Sequence, residues 1–222
     1  VTISVVIPTL DEAACIVEAV ESVVAPGVEV IVVDGGSGDD SCRLARKAGA
    51  RVLVSPRGRA RQLRIGGEKS TGNVVLFLHA DTRLESGWQE AVRRALSDPE
   101  CAGGAFAFRF AERGARERWI EWGVALRIAL FRLPYGDQAL FVRRDVLERM
   151  GGIPIVPMME DLDLVRGIKR AGRLQMLASR ATTSSRRYAR RGGLRTVLRH
   201  QYALLGWWLD WDRERIAERV GR

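Results

Sequence analysis

Short apolar runs recur along the first half of the chain, each followed by a segment whose apolar residues return every three to four positions. Ile3–Ile7, Glu29–Val33, Arg51–Val54 and Val74–Leu78 are rich in Val, Ile and Leu and are bounded by Gly, Pro, Asp or Ser, which predicts buried parallel strands. Between them, Glu12–Val24, Asp40–Ala48 and Arg59–Ser70 predict helices, with Asp or Ser at the starts and Gly or Pro after the ends. Such alternation implies an α/β sheet with right-handed crossovers, whose ligands bind beyond the carboxyl ends of the strands.

The second half is less regular. Ala105–Phe110 and Ala139–Val142 predict strands, and Glu112–Leu130, Asp161–Ala171 and Leu194–Leu209 predict helices, as in a sheet finished by mixed strands. The Trp119–Leu130 segment and the Trp207-Trp208 pair carry apolar residues at core-packing spacing; the same pattern also suits a membrane surface.

Composition narrows the class. The 222 residues are 46% apolar and 28% charged with 7 Pro, which describes a globular domain large enough to bury a core without staples. Cys15, Cys42 and Cys101 form no CxxC or Cys/His spacing, so neither a disulfide framework nor a structural zinc site is expected, and a reducing cytoplasm fits. The chain runs straight into Val1–Ile7 without a basic leader, and no stretch reaches the ~18 uninterrupted apolar residues of a spanning helix. Secretion and membrane spanning are therefore not expected.

The net charge of +9 is unevenly placed. Leu164–Leu209 holds eleven Lys or Arg and no acid, and Ser41–Gly67 is also acid-free, with Arg57, Arg59, Arg61 and Arg64 closely spaced. Arg outnumbers Lys 33 to 3, and its fork grips phosphate in two-point fashion. A phosphate-bearing ligand follows. Nucleic acid explains the cations but not the carboxylates at the strand ends, which repel a polyanion.

Those carboxylates carry the chemistry. Strand one ends in Pro8-Thr9-Leu10-Asp11-Glu12, where acids match a helix N-terminus. Strand two ends in Asp34-Gly35-Gly36-Ser37-Gly38-Asp39-Asp40-Ser41, whose three Gly and three Asp in eight residues exceed what a loop and a cap need. Backbone there can approach a ligand closely while a carboxylate accepts hydrogen bonds from base and ribose. Strand four ends in His79-Ala80-Asp81-Thr82; its carboxylate suits Mg²⁺ or Mn²⁺ bridging to a diphosphate, and His79 reads as a structural neighbour. Gly136-Asp137-Gln138 precedes a strand, and Glu160-Asp161-Leu162-Asp163 opens a helix. Arg186-Arg187-Tyr188 with Gly192-Gly193 suits a loop closing over phosphates.

Taken in order, these segments resemble the family-2 nucleotide-sugar glycosyltransferases with the GT-A fold. The resemblance rests on Val5-Val6-Ile7-Pro8-Thr9-Leu10-Asp11-Glu12, Val32-Val33-Asp34-Gly35-Gly36-Ser37, His79-Ala80-Asp81-Thr82 in the DxD position and Glu160-Asp161, and covers nearly the whole chain. Within the family, the compact length, Arg57-Gly58-Arg59-Ala60-Arg61-Gln62, Gly136-Asp137-Gln138 and Thr183-Ser184-Ser185-Arg186-Arg187 resemble a small bacterial subgroup associated with radical-SAM and selenium- or arsenic-sugar gene neighbourhoods. The chain departs from the family pattern at His79, where many relatives have Asp.

The resemblance implies an α/β, Rossmann-like GT-A domain over residues 1–222, with a mixed, mainly parallel sheet flanked by helices. Residues 1–100 would form the nucleotide-binding half and 101–222 the acceptor-binding and catalytic half. It implies an inverting transferase in which Thr9, Leu10, Glu12, Asp34, Arg59, Arg61, Gln62, Ala80, Asp81, Arg186 and Arg187 serve the donor. Asp81 would hold Mn²⁺ or Mg²⁺; Gly136, Asp137, Gln138 and Glu160 would face the acceptor, and Asp161 would be the general base. The partners implied are a nucleotide-diphosphate sugar and a soluble acceptor, with a lipid-interface acceptor as the variant; the location implied is cytoplasmic or peripheral at a membrane. A nucleotidyltransferase would place a Gly-rich Arg/Lys signature after strand one, where Pro8–Glu12 stands instead. A sugar-nucleotide binder without transfer activity would have no use for the apparent base.

Overall fold

The computed structural model describes residues 1–112, 114–184 and 193–220. Its first half follows the predicted alternation: β1 (Ile3–Thr9), α1 (Ile16–Glu21), β2 (Val28–Asp34), α2 (Ser41–Lys47), β3 (Arg51–Val54), α3 (Arg59–Lys69) and β4 (Val74–Phe77). These four strands pair in parallel in the order β3-β2-β1-β4, with Ile3 opposite both Val28 and Val74.

The second half contributes β5 (Thr82–Leu84), α4 (Trp88–Leu96), β6 (Cys101–Phe110), α5 (Ala115–Phe131), a 3-10 turn at Gly136–Gln138, β7 (Leu140–Arg143), α6 (Arg144–Arg149), α7 (Glu160–Ala171) and β8 (Arg173–Thr183). Helices α8 (Gly193–Trp208) and α9 (Arg213–Val220) follow. The sheet continues β4-β7-β6-β8-β5, with β7 antiparallel to both neighbours, β8 parallel to β6 and β5 antiparallel to β8.

The two-residue period of the strands divides the core between the faces of the sheet. Val5 and Ile7 join Ile16, Val20, Trp88 and Phe106 on one side. Val6 joins Leu63, Val142, Val165 and Ile168 on the other. Helix α3 lies so close to β1 that a Cβ on Gly66 would overlap a Val6 methyl, and this contact brings the α3 N-terminus beside the strand ends.

Several elements differ from the sequence expectation. The first helix begins at Ile16, because Cys15 and Ile16 both donate to the Glu12 carbonyl in a separate turn. Strand β6 starts at Cys101, four residues early, since Gly103-Gly104 has low strand propensity yet is paired to β7 and β8. The eleven-residue β8 is absent from the expectation. Its register shifts where Leu177 and Arg180 face Phe106 and Ala107, which breaks apolar alternation.

Candidate active site

At the carboxyl ends of β1 and β2, two loops brace one another. Thr9 is buried, and its carbonyl accepts the Gly35 N–H at 2.9 Å. Asp11 Oδ1 accepts the Gly38 N–H at 2.8 Å, Ser37 Oγ accepts the Asp11 N–H at 2.9 Å, and Ser41 Oγ accepts the Glu12 N–H at 2.8 Å. Asp34 organises the second loop: its Oδ2 accepts the Gly36 and Ser37 N–H groups at 2.9 Å, and its Oδ1 accepts the Ser37 hydroxyl. Burial pushes the Asp34 carboxyl up, but these donors from Ser37 and Gly36 together hold it below the usual range.

Gln62, expected to serve the donor, sits at the tips of β1 and β2. Its side chain is buried, and Nε2 donates to Thr9 O at 2.7 Å and to Val33 O at 2.8 Å. The amide thus satisfies carbonyls at the tips of two parallel strands, and a donor would meet its effect only through them. Its neighbour Arg61 is exposed, with Nη1 3.5 Å from Arg57 O.

A second constellation gathers residues from four separate elements. Arg59 at the start of α3 reaches across to α7, where its Nε lies 3.1 Å from Oε1 of the buried Glu160. Next in sequence, Asp161 accepts the Gly136 N–H on Oδ2 at 2.8 Å and the Leu162 N–H on Oδ1 at 3.0 Å. The acids open α7, where the unpaired amides of a helix N-terminus favour negative charge. Gly136 stands at the centre. A Cβ there would overlap Arg59 Nη2 and lie 3.1 Å from Asp161 Oδ2 and 3.2 Å from His79 Nε2.

Asp137 is the electrostatically stressed member. Burial pushes its carboxyl up to about 6; Asp161 and Asp81 add to the rise while Arg127 and Arg59 oppose it. Its Oδ1 is buried without a hydrogen bond. Four carboxylates, Asp81, Asp137, Glu160 and Asp161, therefore share the neighbourhood of two guanidiniums, Arg59 and Arg127.

Asp81 sits just past β4, between that strand and the end of β8. Its Oδ1 is 3.5 Å from the hydroxyls of Thr82 and Thr183, and its carbonyl accepts the Ser184 N–H at 3.2 Å. Ala80 is buried beneath, whereas Leu10 and Glu12 are partly exposed on the β1 loop. Arg186 and Arg187 lie outside the described residues.

Gln138, expected to face the acceptor, is held within the 3-10 turn. Gln138 is fully buried: Nε2 donates to Phe106 O at 3.0 Å, and Oε1 accepts the Tyr135 N–H at 3.2 Å. The patterning missed Arg127 and Tyr135. Arg127 donates to Leu133 O at 3.0 Å and stacks 3.5 Å over the Tyr135 ring, so the pair holds the 3-10 turn. Only the position of Tyr135 before Gly136-Asp137-Gln138 signalled it, and Arg127 had no signal.

The donor chemistry suits an oxygen-seeking cation in an open site. No group of three or more His, Cys, Asp or Glu among the described residues forms a cage. A Mg²⁺-type ion needs less, since one or two carboxylates suffice when a diphosphate and water complete its shell. Asp81, partly exposed beside His79, offers that open half-site.

The family model described as glycosyl transferase family 2 matches residues 4–151. Among solved structures, TarS of S. aureus superposes with a TM-score of 0.66 at 16% identity, covering 83% of this chain and 37% of that one. Glucosyl-3-phosphoglycerate synthase of Mycobacterium tuberculosis, in complex with Mg²⁺ and uridine diphosphate, gives 0.61 at 22% identity, covering 82% and 71%. A mycobacterial protein gives 0.57 at 26%, covering 82% and 65%. The chain thus spans little more than a third of TarS, and what it shares with these structures is the GT-A fold.

Proposed function

The chain belongs to glycosyl transferase family 2, and from that membership we propose that it moves a sugar from a nucleotide-diphosphate sugar to an acceptor hydroxyl, with inversion at the anomeric carbon. The observation that carries this reading is the gathering of Arg59 and Asp161 around Gly136, beside the half-buried Asp137 whose Oδ1 is enclosed and whose charge Asp161 and Asp81 oppose.

Asp161 is the general base. Its orientation comes from the Gly136 amide and from its place in the first turn of α7. An acceptor O–H placed against this carboxylate gives up its proton as oxygen bonds to the anomeric carbon. The bond from that carbon to the diphosphate breaks on the opposite face, and the nucleoside diphosphate leaves with the electron pair. A base so placed contributes about 10²–10⁴-fold.

The donor half is residues 1–100. Thr9, Leu10 and Glu12 line the nucleoside, and Asp34 shapes the glycine loop against it. Arg59, held by Glu160, directs positive charge toward the leaving diphosphate, and charge placed before the reaction stabilises the transition state. Asp81 would hold the Mn²⁺ or Mg²⁺, which when bound supplies electrostatic neutralisation of the diphosphate. Support for a metal and a uridine nucleotide comes from the mycobacterial synthase, seen with Mg²⁺ and uridine diphosphate and with Mn²⁺ and UDP-glucose. Gly136 and Asp137 face the acceptor, in the half formed by residues 101–222.

The test is release of a nucleoside diphosphate from a panel of nucleotide sugars in the presence of acceptor hydroxyls, with anomeric configuration read by NMR. Release with inversion supports the reading; a retained configuration, or diphosphate released from a nucleoside triphosphate instead, overturns it.

A further inference from the structure

Helix α5 is turned inside out relative to an ordinary surface helix. Its half-buried stripe along β6 includes Glu121 and Arg127, and Glu121 Oε1 accepts the Phe110 N–H at 2.8 Å. Its outward face carries Trp119 at 75% exposure, Trp122 at 60%, and Leu126, Leu130 and Phe131. Spacings of three and four place 119, 122, 126 and 130 in one row. Between Trp119 and Phe131 the charged residues are Glu121 and Arg127, and both belong to the inner stripe.

A second apolar outcrop lies at the end of α8. Trp207 is core, donating from Nε1 to Asp163 Oδ1 at 2.9 Å, whereas Trp208 and Leu209 are exposed. Helix α7 supports both outcrops, since Lys169 Nζ donates to Phe131 O at 2.9 Å. Asp163 and Lys169 are six residues apart, about 9 Å along a helix.

Cations cluster at the Phe131 end of α5, whereas the exposed Asp210 follows Leu209 at the other outcrop. Arg132, Lys169 and Arg170 are exposed, and partial burial of the ammonium, with Arg132 nearby, lowers the Lys169 pKa. Lys169 Nζ meets the Phe131 carbonyl. Arg116 and Arg118 stand exposed at the other end of the row. Indole rings beside basic side chains match the boundary between headgroups and acyl chains, where an apolar body and a charged tip are both accommodated.

We propose that α5 and the end of α8 dock on an anionic lipid bilayer, with Trp119, Trp122 and Leu130 entering the boundary and Arg132, Lys169 and Arg170 on the phosphates. The contact is interfacial, because no described helix is long and apolar enough to cross a membrane. It stands apart from the transfer reaction, since none of these residues belongs to the strand-end site.

Flotation with phosphatidylglycerol vesicles and with phosphatidylcholine vesicles tests it. The protein floats with the first and not the second, its tryptophan emission shifts to the blue, and added salt releases it. Trp119→Ser with Trp122→Ser lowers partitioning at least tenfold at unchanged melting temperature. Arg132→Gln lowers it about fivefold, as expected for one cation at such a surface. Failure to float with phosphatidylglycerol overturns the proposal. So does a dimer in sedimentation velocity that the double tryptophan variant dissolves, because a second copy would then cover the face.

Discussion

The backbone N–H of Gly136 donates to Oδ2 of Asp161 at 2.8 Å, joining a 3-10 turn to the helix that begins 24 residues later. This bond engages one carboxylate oxygen while the Leu162 N–H engages the other, so the carboxylate is held from two sides in the orientation that the proposed mechanism uses. It also explains a glycine in this place, since a Cβ would enter the space shared by Arg59, Asp161 and His79.

Asp161→Asn keeps the Gly136 hydrogen bond but removes the base. Transfer should fall by about 10²–10⁴-fold in kcat, with nucleotide affinity unchanged. Steady-state kinetics beside calorimetry of the nucleoside diphosphate checks the split; retained kcat rejects Asp161 as base.

Gly136→Ala puts a methyl into the Arg59 guanidinium and against Asp161. Overpacking of this kind costs about 1–3 kcal/mol of stability, read in a urea melt. Displacing the base by an ångström lowers kcat by roughly 10²-fold. A variant as active and stable as the parent would mean the turn yields freely.

Asp137 predicts a pH effect of defined sign. Its carboxyl rises from 3.8 to about 6 on folding, so the native state binds more protons than the unfolded state between those values. Its contribution to stability therefore declines as pH rises through that window. Asp137→Asn should gain in melting temperature relative to the parent between pH 4 and pH 7. A difference independent of pH contradicts the raised value.

Gln62→Leu preserves size but leaves Val33 O without its amide donor and removes one of two donors from Thr9 O. An unmade buried hydrogen bond costs about 1–3 kcal/mol, so the denaturant midpoint should drop. Gln62→Glu fares worse, because a carboxylate then faces two carbonyls.

The parallel half of the fold was legible because β1, β2 and β4 carry Val and Ile runs that are buried along most of their length, and β3, although a half-exposed edge strand rather than the buried one expected, keeps the same Val-rich composition. Strand β8 was not, since its bulge interrupts the alternation that would have revealed it. The carboxylates at the strand ends were legible as chemistry, yet the partners they choose were not. Gln62 looked like a donor residue beside Arg61, and only the pairing of β1 with β2 shows two carbonyls converging on its amide. Arg127 stabilises the 3-10 turn through the Tyr135 ring and the Leu133 carbonyl, contacts that no sequence spacing encodes. The outward apolar row of α5 had the periodicity of a core face; burial alone distinguishes the two.

The proposed transfer depends on a metal-assisted diphosphate site at Asp81, which calorimetric titration can detect. Uridine, guanosine, cytidine, adenosine and thymidine diphosphates are each titrated with and without Mn²⁺ or Mg²⁺, into the parent and into Asp81→Ala. The account predicts that one nucleotide binds, that metal tightens it, and that the substitution abolishes the metal's effect. Folded protein that binds none of the five, or binds one equally with chelator and with alanine at 81, contradicts it.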